Sequence, residues 1–434
     1  MATIAENLTL LKLTKAGIKA AIEAKGVSNV GDKFSDYPAK IASIPTEVGV
    51  SQWTGTVDRA GLTELGWSTT DIDNFQANVR WYDWQNPNYT VVDADKSITD
   101  KNQYQNNKDV RYAKMLDTSQ VTDMSGMFKG CTSLTSIPTL DTSKVTSMKS
   151  MFNDCSSLTS IPALDTSQVT DMYYMFNGCT SLTSIPALDT SQVIDTRYMF
   201  SGCTSLTTIP ALDTSKVTNM NTMFYGCSSL TSIPALDTSQ VTNMSMMFSI
   251  CTRLTSIPTL NTSQVTSMYR MFRGCSNLTT IPALDTSKVT DMNSMFSGSI
   301  RLISIPALDT SKVTNMGSMF YNCSSLTTIE SIDFSSCTNT DSMFPSYQNF
   351  GKLTSMHVTG SISFSWTSDG FSSIPNLDFN SIKSILEAMN RCTNPETAKT
   401  MSFNSTMTDQ DSQLTNLVSE CNGKGWTITG LTIN

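Results

Sequence analysis

Histidine is almost absent from the 434-residue sequence, in which His357 is the only one. Serine–histidine triads and histidine-based metal sites therefore have almost no raw material. Gly-x-Ser-x-Gly and Gly-Lys-Ser/Thr motifs, which mark hydrolase elbows and phosphate-binding loops, are missing as well. Carboxylates are plentiful, but no pair is singled out by its neighbours as a glycosidase pair. We therefore predict no catalytic residues, no metal site and no cofactor, and a protein that is not an enzyme.

Charge is also scarce, because charged residues make up only 15% of the chain and the net charge is −8 at pH 7. A nucleic-acid partner would call for a clustered basic face, so none is expected. No segment approaches the ~20 apolar residues of a membrane span, which predicts no membrane insertion. The first residues lack a basic start, and the apolar run from Leu8 to Leu13 is short and interrupted. We therefore expect no signal peptide.

What the sequence does contain is a repeat. The pair Met-Phe recurs every 24 residues from Met127 to Met343, and Leu-Asp-Thr-Ser or a near variant recurs at the same step from Leu116. A unit of this length cannot bury its own apolar face, so each unit must stack on its neighbours. The pattern predicts a solenoid of about ten units over residues 116–345.

Each unit combines patterns of different secondary structure. Leu-x-x-Ile-Pro followed by Asp-Thr-Ser predicts a short strand that ends at a corner. Val-Thr-x-Met predicts a second extended arm. Met-x-x-Met-Phe, followed in half of the units by Gly-Cys, predicts a single helical or 3₁₀ turn that glycine closes. The predicted fold class is therefore an α+β solenoid.

The order Cys-x-x-Leu-x-x-Ile-Pro, then Val-x-x-Met-x-x-Met-Phe, resembles the BspA-like class of leucine-rich repeats. That class is found on surface proteins of bacteria and mobile elements. The resemblance implies a leucine-rich repeat array that serves as a scaffold for binding, and it leaves the ligand open.

Two polar columns of the repeat have alternative interpretations. Eight cysteines, from Cys131 to Cys323, share one position, where Ser299 replaces the thiol in one unit. Parallel side chains are poorly placed for bridging, so a buried thiol ladder is favoured over disulfides or a metal site. The column of aspartates from Asp117 to Asp333 could chelate calcium, but an Asx-type turn in each unit is favoured.

Residues 1–45 are predicted to form a small helical module. Five apolar residues follow helical spacing and would make a seam for oligomerisation or attachment: Ile4, Leu8, Leu11, Ile18 and Ile22. The segment resembles N-terminal attachment segments of bacteriophage tail fibres and related virion proteins. That resemblance implies docking on other virion proteins and a homotrimer, while a plain helical subdomain is the alternative.

The other two flanks differ from the repeats in composition. Residues 46–115 hold four of the six tryptophans and are predicted to be an adapter and N-terminal cap. Residues 346–434 are predicted to form a mixed α/β C-terminal cap. Its elements are a helix in "SIKSILEAMNRC", a strand in "KTMSFN", a helix through "DSQLTNLVSECNGKG" and a strand in "WTITGLTI".

Three positions of the unit vary while the rest repeats: the two between the paired methionines and the one after Met-Phe. Tyrosine and arginine, which often carry binding energy at exposed sites, occur in these slots. The predicted ligand-binding residues are Tyr173, Tyr174, Arg197, Tyr198, Tyr225, Tyr269, Arg270 and Arg273. The alternative is ordinary variation of a surface.

These observations together predict a phage structural protein, a tail fibre or related appendage, that presents the repeats to a glycan or protein of the host surface. It would be assembled in the bacterial cytoplasm and reside in the virion. The main alternative is a bacterial cell-surface adhesin with the same repeats. A capsule-degrading enzyme is the alternative that the sequence favours least.

Overall fold

The computed structural model describes residues 104–108, 118–345, 350–366, 371–392, 399–409 and 411–434. All of them belong to one compact unit of the chain. The helical module predicted for residues 1–45, with its seam Ile4, Leu8, Leu11, Ile18 and Ile22, lies outside the described residues. Most of the adapter predicted for residues 46–115 does too.

Each 24-residue unit forms one coil, and successive coils are joined by backbone hydrogen bonds. In one coil the N–H groups of Met148, Ser150 and Phe152 donate to carbonyl oxygens 23 residues further on, at 2.7–3.0 Å. Isolated parallel bridges link the same position of neighbouring coils, from Asp123 to Asp195 and from Asn219 to Asn339. This stacking confirms the solenoid.

The core is built from the apolar positions of the repeat. Leu158, Val169, Met172 and Phe176 are completely buried, as are their equivalents in most other coils. The aromatic rings form one column of eleven, from Tyr104 through each Met-Phe phenylalanine to Phe344. Their centroids are 5.4–6.0 Å apart, with interplanar angles of 2–25°. Because buried rings carry much of a core's apolar area, this column is a main source of stability. The column of rings begins at Tyr104, one coil before the predicted first unit, which starts at Leu116.

The predicted helical or 3₁₀ turn is replaced by three overlapping β-turns. Met151 N–H donates to Met148 O at 3.1 Å, Asn153 N–H donates to Ser150 O at 3.1 Å, and Cys155 N–H donates to Phe152 O at 3.0 Å. The third residue of the first and of the last turn has a positive φ, +55° at Ser150 and +61° at Asp154. Such turns are of type II. Glycine fills the second of these positions in six coils, with φ of 70–78°, as expected from the Gly-Cys pattern.

The predicted strand forms fully only where proline is missing. Strand β1, Ser304–Ile305, stops at Pro306, whereas β2, Thr328–Asp333, continues through Glu330 at the equivalent position. Proline cannot donate to a ladder, so it ends the pairing. Strand β3, Ser355–Thr359, extends the parallel sheet in the order β1-β2-β3. In coils nearer the N-terminus the same segment is irregular.

The C-terminal residues form the helices and strands expected. A 3₁₀ turn at Phe371–Ser373 precedes helix α1, Phe379–Asn390; strand β4 is Lys399–Met407, helix α2 is Gln413–Gly423 and strand β5 is Trp426–Ile433. Strands β4 and β5 are parallel neighbours, with α2 between them in the chain.

Helix α1 lies on strand β3 and satisfies its backbone. The N–H groups of Met356 and Val358 in β3 donate to the hydroxyls of Ser381 and Ser384, at 2.9 and 3.1 Å. Asp378 caps the helix by accepting the N–H of Ser381. The exposed edge that an array of parallel coils leaves is therefore covered here by a helix.

Candidate functional site

Two of the three variable slots lie at the first β-turn of each coil, and the slot after Met-Phe is the second residue of the last turn. The two residues between the paired methionines are the second and third residues of the first turn. The third residue has φ between +53° and +68° in all ten coils from Gly126 to Ser342. Turn corners direct side chains away from the core, so these positions can vary without disturbing the stacked rings.

A short polar side chain fixes each corner. The residue two positions ahead of the first slot accepts that slot's backbone N–H: Asp171 accepts from Tyr173 at 2.9 Å, and Asp195 accepts from Arg197 at 3.0 Å. Ser267 holds the same place ahead of Tyr269, at 3.4 Å. These are Asx-type turns and their serine analogue, which explains why aspartate, asparagine and serine recur there.

Three of the predicted residues meet in one group, which we call the tyrosine cluster: Tyr173, Tyr174 and Tyr198. The rings of Tyr174 and Tyr198 stack at 4.4 Å with an interplanar angle of 6°. Tyr173 stands edge-on to both, at 4.3 and 6.0 Å. All three are half-buried. Burial raises the pKa of the Tyr174 phenol, and the neighbouring tyrosines raise it further.

Two cations flank the tyrosine cluster. The Arg197 guanidinium lies 4.8 Å from the centroid of the Tyr173 ring, and the Lys149 ammonium lies 5.2 Å from it. Both distances are within the range of cation–π attraction. Arg197 also makes a forked contact with Asp195, with Nε at 3.0 Å from Oδ1 and Nη2 at 2.6 Å from Oδ2. This contact raises the pKa of Arg197.

A second group, which we call the arginine coil, consists of Tyr269, Arg270 and Arg273. The Arg270 guanidinium lies 4.8 Å from the centroid of the Tyr269 ring. Two coils without tyrosine or arginine between their methionines, those of Asn221 and Ser245, separate it from the tyrosine cluster. Tyr225 lies on one of these coils and has no ring contact in the described part of the chain. The eight predicted residues thus form two groups of three, with Arg197 flanking the first group and Tyr225 standing alone.

Sequence reasoning missed Asp195 as the partner of Arg197. The signal was present in the spacing, because Asp195 occupies the turn-fixing position two residues ahead of the arginine. Lys149 stood in a variable slot but was not among the predicted site residues. Its place one coil before Tyr173 is what brings it over that ring.

The cysteine column is a thiol ladder, as predicted. All eleven cysteines are free and buried. In the repeats each thiol donates to the carbonyl oxygen of the aromatic residue 27 positions earlier; Cys203, for example, lies 3.1 Å from Phe176 O, and Cys131 lies 2.9 Å from Tyr104 O. Ser299 makes the same bond to Phe272 O at 2.9 Å, which explains the substitution. Burial raises the pKa of Cys203 to about 12.

The aspartate column forms Asx turns, as predicted. Asp213 Oδ1 accepts the hydroxyl of Ser215 at 2.7 Å and its N–H at 3.0 Å, and these bonds lower the pKa of Asp213. Asn261 makes both bonds in its own coil, to Ser263. Among the described residues, no group of three metal-ligating side chains occurs. In the same part of the chain, no helix is both long and apolar enough to cross a bilayer.

Comparison with known proteins identifies a family. The model of the family described as "Mycoplasma protein of unknown function, DUF285" matches residues 96–210, 204–298 and 251–357, together more than half of the chain. No curated protein matches.

Two solved leucine-rich repeat proteins are similar to the chain. The protein from Eubacterium ventriosum shares 17% identity over 66% of this chain and 92% of its own, with a TM-score of 0.29. The protein from T. pallidum shares 17% identity over 50% of this chain and 76% of its own, with a TM-score of 0.21. At TM-scores this low the likeness carries no argument about ligands, and the solenoid rests on the stacked coils themselves.

Proposed function

Because the chain belongs to the DUF285 family and its stacked coils display aromatic and cationic side chains at their variable corners, we propose that it is a recognition or adhesion protein. It is of the BspA-like leucine-rich repeat type and acts by binding rather than by catalysis. The repeated core residues hold the scaffold, and the variable slots contact the ligand.

The observation that carries this proposal is the tyrosine cluster. The rings of Tyr173, Tyr174 and Tyr198 are only half-buried and contact one another across two coils. Lys149 and Arg197 flank the rings, and Ser150, Asn221 and Thr222 fill the remaining slots of the adjacent coils, so the cluster is an aromatic platform on a polar surface. Tyrosine offers both a ring face and a hydroxyl, which suits the apolar face and hydroxyl groups of a sugar ring.

We further propose that the chain is part of a phage virion, a tail fibre or related appendage. The support is the resemblance of residues 1–45 to virion attachment segments. In this proposal that module docks the chain on other virion proteins, as a homotrimer, after assembly in the bacterial cytoplasm. The alternative is an adhesin at a bacterial cell surface, which the family's description as a Mycoplasma protein favours.

Mass spectrometry separates the two settings. Detection of the chain in washed virions would support the virion protein. Its recovery from intact bacterial cells by surface proteolysis, with none in particles, would support the adhesin.

The recognition role itself is tested on a glycan array with a variant of the tyrosine cluster. Tyr173→Asn, Tyr174→Ser and Tyr198→Ser introduce residues that the chain already uses in the same slots, for example Asn293 and Ser294. The fold should therefore survive, while binding should fall at least tenfold if one ring is a hot spot of ~2 kcal/mol. Thr222→Ser in a neighbouring coil is the matched control and should bind normally. Equal binding by the folded cluster variant would contradict the proposal.

A further inference from the structure

We infer that the arginine coil binds the carboxylate of an acidic saccharide, an inference that rests on the proposed recognition role and adds the chemical class of its ligand. Tyr269, Arg270 and Arg273 lie on a single coil of a chain whose net charge is −8. Two arginines on one coil therefore make a positive site on an otherwise acidic protein.

The guanidinium of Arg270 lies over a tyrosine ring. Its Cζ is 4.8 Å from the centroid of the Tyr269 ring. Its Nε is buried and has no hydrogen-bond partner within the described residues. A planar guanidinium can stack through its face while its N–H groups bind a carboxylate in the plane, so the two contacts are compatible. Because Nε is buried, an incoming carboxylate would bind the terminal N–H groups of the same guanidinium.

Arg197 shows what the arginine coil lacks. Its guanidinium also lies over a tyrosine ring, but its Nε–H and Nη2–H groups donate to the carboxylate of Asp195. The residue equivalent to Asp195 on the arginine coil is Ser267, which has no charge. Within the described residues, neither Arg270 nor Arg273 takes part in an ion pair. The nearest equivalent carboxylate is Asp291 on the next coil, which accepts the backbone N–H of Asn293.

Arg273 has only small side chains in the same slot of the adjacent coils. These are Ser249 and Ser297, and both are buried. Tyr269 beside the arginines supplies a ring face, as in the tyrosine cluster three coils away. A ring face next to two forked cations fits a sugar that carries a carboxylate, so a saccharide is favoured over an acidic peptide.

The test compares polygalacturonate with its methyl ester, which has the same sugar without the charge. The full chain should bind polygalacturonate at least tenfold more tightly than the ester, and added salt should weaken that binding. Arg270→Gln with Arg273→Gln should abolish the preference. Arg301→Gln, an exposed arginine outside the variable slots, is the matched control and should retain it. Far-UV circular dichroism checks that both variants are folded.

Several outcomes would overturn the inference. Equal binding of the ester, no binding of polygalacturonate, or an unchanged preference in the Arg270 and Arg273 variant would each do so. Equally tight binding of poly-L-glutamate would show that a carboxylate peptide, not a saccharide, is the ligand class. If the chain binds neutral glycans through the tyrosine cluster while the acid preference fails, recognition stands and only this inference falls. Failure of the chain to bind any glycan would instead remove the proposed function.

Discussion

Ile250 provides a sensitive test of the left-handed conformation in the last turn of each coil. It has φ of +63°, a left-handed backbone conformation that β-branched residues rarely adopt. Glycine occupies the same position in six other coils, for example Gly226 with φ of +70°. We predict that Ile250→Gly is more stable than Ile250→Ala, the reverse of the usual order of these two residues.

The magnitude follows from two opposing effects. The left-handed conformation costs an L-residue roughly 1–2 kcal/mol, a cost that alanine keeps and glycine loses. Glycine offsets about 0.5–1 kcal/mol of this advantage, because the unfolded chain has more backbone freedom at a glycine and loses it on folding. The net advantage of glycine over alanine should therefore be about 0.5–1 kcal/mol. Both variants remove the same isoleucine side chain, so the difference between them isolates the backbone.

Gly226→Ala is the matched control in the opposite direction. A Cβ at Gly226 would come no closer than 3.8 Å to any neighbouring atom, so it meets no steric obstacle. Its cost should therefore also be conformational, about 0.5–1 kcal/mol. Gly130 would be a poor control, because a Cβ there would meet the Asn106 side chain at 2.3 Å.

Urea unfolding followed by far-UV circular dichroism would measure these differences, with calorimetry as a second readout. In a protein of this size we expect the two Ile250 variants to differ in Tm by about 0.5–1 °C, so the urea midpoints are the main readout. The left-handed turn would be refuted if Ile250→Gly were no more stable than Ile250→Ala and if Gly226→Ala left the free energy of unfolding unchanged.

Three further predictions concern the polar columns. Ser299→Ala should lower the free energy of unfolding by about 1 kcal/mol, because the buried bond to Phe272 O is lost, whereas Ser299→Cys should retain stability in the same urea assay. In the native protein the thiols of the column, such as Cys203 with a pKa raised to about 12, should not react with Ellman's reagent at pH 8; rapid labelling without unfolding would contradict this. Because hydrogen bonds from Ser215 place the folded pKa of Asp213 below its unfolded value, its contribution to stability is complete above about pH 4 and is lost as the pH falls through the folded pKa. Replacing the column aspartates with asparagine, as at Asn261, should flatten this acid dependence in thermal melts at pH 2–7, and an unchanged profile would argue against it.

Those features of the fold that follow from a single physical cause could be predicted from the sequence. The 24-residue period required stacked coils because each unit has too little apolar surface to fold alone. The thiol ladder followed from parallel side chains at a single buried position. The C-terminal helices and strands followed from ordinary helical and alternating patterns; the helix expected at residues 381–392 begins at Phe379 and ends at Asn390.

The corner of the coil was not predictable in the same way. Met-x-x-Met-Phe has helical spacing, and only the second left-handed position is marked by glycine. At the first, residues such as Tyr174 and Arg270 give no sign of a positive φ. The contacts between side chains in the variable slots could not be predicted either, because they depend on the rotamers of long side chains. The forked contact of Arg197 with Asp195 and the placement of Arg270 over the Tyr269 ring appear only in three dimensions.

The most direct test of the account measures glycan-array binding by a chain whose variable slots have been made uniform. Asparagine or serine would replace seven residues: Tyr173, Tyr174, Arg197, Tyr198, Tyr269, Arg270 and Arg273. We predict a folded solenoid, because these side chains lie outside the stacked core, and array signals at least tenfold lower than those of the unaltered chain. A folded variant with an unchanged glycan profile would contradict the claim that the variable slots recognise the ligand.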